Sequence, residues 1–152
     1  MRGLLLAGAL AAAAGCAGGF GGSHGPAATL CAHLEGAGES SDALDPVHQG
    51  DATLELSGTE IRFTISAPGL PTVVATHIHH GEAGTNGPMF WEINPGYKGD
   101  SVRGRATDVP PGVVALIARD PSEYYLKLHT VKFPGGAIRG QLRPCPVNPA
   151  TR

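Results

Sequence analysis

The sequence predicts an all-β protein: an antiparallel sandwich or barrel of seven to eight short strands, with one short helix near 111–118. Three observations point there. Gly 23 and Pro 13 make up almost a quarter of the 152 residues, and the apolar residues fall in short runs, which suits many turns between short strands. Apolar and polar residues alternate over 53–57 and 61–65, the period-two pattern of strands with one buried face. Cys31 and Cys145 stand at the two ends of the strand-rich region, where a bridge would tie the first strand to the segment after the last.

Residues 1–15 read as an export signal rather than as part of the fold. Arg2 is followed by an apolar run from Leu4 to Ala14, about eleven residues, whereas a membrane-spanning helix needs roughly 20. The closing "AAGC" resembles a bacterial lipobox, which predicts cleavage before Cys16 and a lipid on that cysteine; cleavage with simple secretion is the alternative. Both place the mature chain outside the cytoplasm. The lipidated form would be anchored on the cell membrane or outer membrane, the other form secreted or periplasmic. Residues 16–27 form a glycine-rich tether, 28–145 the folded domain and 146–152 a disordered tail. With Cys16 lipidated, Cys31 and Cys145 remain, and export favours a disulfide between them; two buried free thiols are the alternative. The net charge of -2 gives no electrostatic footprint for nucleic acid.

Within the domain, "ATLCAHLEG" is a first strand and "GESSDALDPVHQG" a polar loop with Asp45-Pro46 as a turn signal. Residues 51–69 read as a hairpin turning at Ser57-Gly58, with Leu54 and Leu56 on one arm and Ile61, Phe63 and Ile65 on the other. "TVVATHIHH" is a strand, and "GEAGTNGP" a loop whose Asn86-Gly87 favours positive φ. "MFWEIN" is a short strand and "DSVRGRATDV" a weaker, polar one. Pro110 and Pro111 open one or two helical turns carrying Val113, Val114 and Ile117, although the β-branched residues favour strand. A hairpin formed by "YYLKLHTVKF", "PGG" and "AIRGQLRP" closes the domain.

Three histidines fall within four residues in "THIHH". Residues two apart in a strand share a face, so His77 and His79 point together and Ile78 points the other way. In "YLKLHTV", Leu126 and Leu128 share one face, and His129 takes the opposite one with Lys127. If Ile78, Leu126 and Leu128 face the core of adjoining strands, then His77, His79 and His129 converge on the outer side. Three neutral imidazoles with an open position suit copper or zinc. The alternative is a structural cluster in which each ring hydrogen-bonds a loop carbonyl or amide. His80 is expected to be exposed, and His24, His33 and His48 incidental. Glu82 and Glu92 lie near the histidines without defining an acid–base pair. Phe90, Trp91, Tyr97, Tyr124 and Tyr125 read as core and rim packing, with a binding patch as the alternative. The chain contains no GxSxG, Walker glycine loop, HExxH or CxxC motif, so no catalytic residue is assigned.

"THIHHGEAGTNGP", "LKLHT" and "FPGGAIRGQL", with "ATLCAHLEG" as the opening strand, together resemble the CHRD (chordin-type) domain over roughly Ala28 to Arg143. The resemblance implies an immunoglobulin-like β-sandwich and a non-enzymatic binding or structural module at the cell surface, facing an extracytoplasmic protein or ligand. "THIHHGEAG" and "GGAIRGQL" are also similar to segments of copper–zinc superoxide dismutases. That likeness implies copper ligands at His77, His79 and His129 and an anion-guiding role for Arg139. No histidine lies between His80 and His129, so the bridging imidazole and zinc ligands of those enzymes are missing.

Overall fold

The computed structural model describes residues 27–36, 45, 47–94 and 96–146. The export signal, Cys16, His24, the tether up to residue 26 and the tail from residue 147 lie outside the described residues. The chain runs β1 (Ala28–Glu35), β2 (Gln49–Ser57), β3 (Glu60–Ser66), β4 (Val73–His80), β5 (Met89–Asn94), β6 (Ser101–Ala106), α1 (Pro111–Arg119), a single 3-10 turn (Pro121–Glu123), β7 (Tyr124–Thr130), β8 (Ile138–Gln141) and β9 (Arg143–Pro144).

The strands pair antiparallel in the order β5-β4-β7-β8-β1-β2-β3-β6. The join between β8 and β1 is a seam with a single paired position, Glu35 with Arg139. It divides the ladder into two four-stranded halves, β5-β4-β7-β8 and β1-β2-β3-β6. The edge strands β5 and β6 approach each other, so the sheet curls nearly shut on one core. All-β antiparallel architecture is therefore what the alternation and turn spacing predicted. Nine strands are present among the described residues, because "AIRGQLRP" is not one strand. Its chain changes partner at Leu142, with β8 on β7 and β9 on β1. At the seam Gly140 is required: a Cβ there would stand 2.0 Å from the carbonyl oxygen of His33.

The core is built by alternation. Leu30, Leu34, Leu54, Leu56, Ile61, Ile65, Ile78, Leu126, Leu128 and Ile138 are all essentially buried, each from the inward face of its strand. The β2–β3 turn uses Gly58 and Thr59, one residue later than the sequence suggests; Gly58 supplies the positive φ (57°), and Ser57 pairs with Glu60. Pro111 opens α1 at its first position, and Val114 and Ile117 bury the helix against the sheet. The β-branched residues tolerate helix here because burial at their own spacing outweighs a small propensity cost. Phe90, Trp91, Tyr97 and Tyr124 pack on or within this core.

Cys31 and Cys145 form a disulfide that fastens β1 to the end of β9, where Cys145 N–H donates to Thr29 O (3.1 Å). The bridge closes a loop with a sequence separation of 114. In the chain-entropy account a loop of that length is worth roughly 5 kcal/mol. Among the described residues no helix is long and apolar enough to cross a membrane.

Candidate metal centre

Pairing of β4 with β7 sets the site. Ile78 lies opposite Leu126 and Thr76 opposite Leu128 on the core side, while Ala75 lies opposite His129, His77 opposite Lys127 and His79 opposite Tyr125 on the outer side. The alternation that buries Ile78 thus sends His77, His79 and His129 outward together. One ligand nitrogen from each ring falls within 4.8 Å of the others.

This outer face is not open to water. The segment 81–88 straps across it, leaving His79 9% and His129 8% exposed and Tyr125 fully buried. Three side chains hold the strap. Arg139 lays its guanidinium 3.6 Å over the Tyr125 ring and donates to Thr85 O (2.7 Å) and Asn86 Oδ1 (3.3 Å). Gln141 Nε2 donates to Gly81 O (3.0 Å). The Tyr125 hydroxyl accepts from Gly87 N–H (3.0 Å) and lies 3.3 Å from Gly87 O. Gly87 does not take the positive φ that Asn86-Gly87 suggests; Gly84 does (85°). Gly87 is needed for closeness instead, because a Cβ would sit 1.5 Å from His80 O.

The strap decides the protonation of the rings. Gly87 O can only accept, so His79 Nδ1, 3.0 Å away, carries a proton and donates. Pro134 O, 2.8 Å from His129 Nδ1, does the same for that ring. The third ring, His77, meets an acceptor at both nitrogens: His129 Nε2, 3.1 Å from Nδ1, and the Glu92 carboxylate, 3.3 Å from Nε2. The nitrogens left without a loop or carboxylate acceptor are His77 Nδ1, His79 Nε2 and His129 Nε2, the first and last of which are joined by their own hydrogen bond.

In the metal-free protein His77 Nδ1 donates to His129 Nε2 across 3.1 Å, a bond that an ion bound between the two rings would replace. His79 Nε2 is buried with no hydrogen-bond partner, which costs roughly 1–3 kcal/mol for a group of its kind. Tetrahedral zinc with bonds of 2.0–2.1 Å separates its ligand nitrogens by about 3.3 Å, close to the His77–His129 spacing. The donor set fits copper or zinc. Burial, with added repulsion from Lys127, His129 and His77 against the help of Gly87 O, lowers the His79 pKa to about 4. Burial lowers that of His129 as well, against the help of Pro134 O. Both rings thus stay neutral, the form that binds metal.

The other histidines stand apart. His80 is exposed and packs against Phe90 and Tyr124. His33 pairs with Asp51 and His48 with Asp45, both away from the cluster. Glu82 is not among the grouped ligands, whereas Glu92 touches His77. Arg139 is committed to the strap and to Tyr125. Two partners of the site are hard to read from sequence: the carbonyls of Gly87 and Pro134, since any residue supplies a carbonyl. Tyr125 is more legible, because alternation in "YYLKLHT" sets it on the side of Lys127 and His129.

The fold is all-β, one antiparallel sheet curled nearly shut, with the histidine cluster under the strap on its outer face. A family model for the CHRD domain matches residues 30–142, most of the chain, and the chain belongs to that family. No curated protein and no solved structure matches it. CHRD domains are extracellular, with a binding or structural role, and this accords with an extracytoplasmic chain carrying the Cys31–Cys145 disulfide.

Proposed function

We propose that this CHRD domain is an extracytoplasmic metal-holding module that binds one copper or zinc ion through His77 Nδ1, His79 Nε2 and His129 Nε2. The observation that supports this reading is the cluster itself: one nitrogen from each ring lies within 4.8 Å of the others, His79 Nε2 is buried without a partner, and each ring meets an acceptor on its far side. Metal-binding histidines characteristically donate their other N–H to a carboxylate or carbonyl, as these three do. Three protein ligands leave a fourth coordination position unfilled by the protein, which suits storage or delivery of the ion to a partner. The lipobox-like "AAGC" supports tethering through a lipid on Cys16 at the cell surface.

A second reading is a metal-free binding or structural module. It is favoured by the bonds from His79 and His129 to loop carbonyls, which by themselves fasten segments 81–88 and 131–136 to the sheet. It leaves His79 Nε2 without a partner.

The test is metal analysis of protein purified from the periplasm or medium without a histidine tag, followed by titration with copper and zinc, beside a His79→Ala variant of unchanged fold. One equivalent bound by the wild type and lost in the variant is the expected result. A wild type that takes up neither metal contradicts the metal reading.

A further inference from the structure

We infer that Arg139 is a positioning residue for the metal centre: it clamps the strap 81–88 so that Gly87 O fixes which nitrogen of His79 faces the ion. This rests on the metal-binding reading above and assigns Arg139 a task other than guiding an anion. The chain of contacts is short. Arg139 grips Thr85 O and Asn86 Oδ1. The next residue is Gly87, whose N–H donates to the Tyr125 hydroxyl and whose carbonyl accepts from His79 Nδ1. Arg139 also stacks on Tyr125 at 3.6 Å, and the His79 and Tyr125 rings are near-parallel (16°) with centroids 5.0 Å apart. The guanidinium, the phenol and the imidazole thus form one layered column, closed at the top by the strap. Register explains the arrangement: Tyr125 lies between His79 on β4 and Gln141 on β8, and Arg139 comes from the β8 position opposite Lys127.

The geometry asks more of Arg139 than its charge. Nη1 donates to two acceptors on the strap while the guanidinium carbon sits 3.6 Å over the Tyr125 ring, a packing contact that the compact, strongly hydrated ammonium of lysine does not reproduce. Without the clamp, the strap keeps the Gln141 and Tyr125 contacts, the bond from His79 and, at its two ends, the backbone bonds Gly81 N–H to Glu123 O and His80 N–H to Pro88 O, but its tip at Thr85 and Asn86 loses the Arg139 bonds. Gly87 O is then free to leave His79, and the ring can take the other tautomer or turn its unpartnered Nε2 to water. The sign of the effect separates positioning from simple electrostatics. A cation near a metal ion opposes it, so removing the charge should tighten binding; removing a clamp should loosen it.

Four proteins test this: wild type, Arg139→Gln, Arg139→Lys and Tyr125→Phe, the last keeping the ring and losing the hydroxyl that holds Gly87. Ile138→Val, a core change on the same strand as Arg139, serves as the stability control. Copper and zinc affinities are measured by competition. The His79 tautomer is read in the metal-free proteins from the ring nitrogen-15 shifts, which do not depend on metal loading. The expected result is weaker metal binding by roughly tenfold or more in both Arg139 variants, with His79 shifted from a pure Nδ1–H form to a mixture. Tyr125→Phe should show a smaller change in the same direction, and Ile138→Val none. Affinity that rises in Arg139→Gln, or a His79 tautomer unchanged in every variant, overturns the positioning role and leaves the metal site standing. An affinity loss matched by Ile138→Val also overturns it, since general stability would then be the cause. A wild type that binds no metal defeats the proposed function itself, and this inference with it.

Discussion

Acidifying the metal-free protein from about pH 7 to about pH 4.5 should cost it stability through His79. In the folded state burial holds that ring's pKa at about 4, against an ordinary value of 6.5. The unfolded chain therefore takes up the proton first, so stability rises with pH across this window and is lost as pH falls through it. With 1.36 kcal/mol per unit, the loss from His79 alone is roughly 2–3 kcal/mol by about pH 4.5. His129, lowered for the same reason of burial, adds to it in the same direction. Asp45 is held below its ordinary value by the Val47 and His48 N–H groups and the His48 ring, although burial opposes them, so its own loss comes at lower pH. The assay is urea unfolding in the presence of a chelator, with the disulfide intact, for wild type and His79→Gln. The wild type should lose roughly 2–3 kcal/mol more than the variant between the two pH values. Equal losses in the two proteins would refute the argument that the buried, strap-bound imidazole must be neutral.

Other expectations follow from particular contacts. Replacing both Cys31 and Cys145 by alanine should lower unfolding stability by roughly 5 kcal/mol, read from guanidinium midpoints, and an unchanged midpoint would show that the loop constraint is worthless here. Glu92→Gln should weaken copper or zinc binding roughly 10–100-fold with the melting temperature of the metal-free protein nearly unchanged, because it removes the carboxylate behind His77 Nε2. Ile78→Ala, which empties a fully buried position directly behind the histidines, should cost about 2–5 kcal/mol by the same unfolding assay. Gly140→Ala should be worse tolerated than its exposed counterpart Gly112→Ala, since only the first drives a Cβ into a facing carbonyl; comparable melting temperatures would remove the reason given for that glycine.

The histidine face was legible in the sequence because strand periodicity is strict. Once Ile78, Leu126 and Leu128 are placed inward, His77, His79 and His129 have only one face left, and the β4–β7 register brings them together. The hairpin residues were legible for similarly local reasons, and the Cys31–Cys145 bridge because these are the two cysteines left once Cys16 is set aside in an exported chain. The cover over the site was not. Segment 81–88 carries loop chemistry, but nothing in "GEAGTNGP" says which side of the sheet it crosses, because that depends on Arg139, Gln141 and Tyr125 some forty to sixty residues later. For the same reason the sequence offers for Arg139 only the anion-guiding role that the dismutase likeness implies, whereas in the structure it bonds Thr85 and Asn86 of the strap. Alternation alone gives the three histidines an outer side and no more. Alternation distinguishes two sides of a strand and says nothing about what a loop lays on either.

The most direct test is X-ray absorption at the copper edge of protein loaded with one equivalent of the ion. Three imidazole nitrogens near 2 Å in the wild type, falling by one in His79→Ala, are what converging lone pairs at residues 77, 79 and 129 predict. A first shell of oxygen scatterers without imidazole signatures, or a spectrum identical in the two proteins, would contradict it.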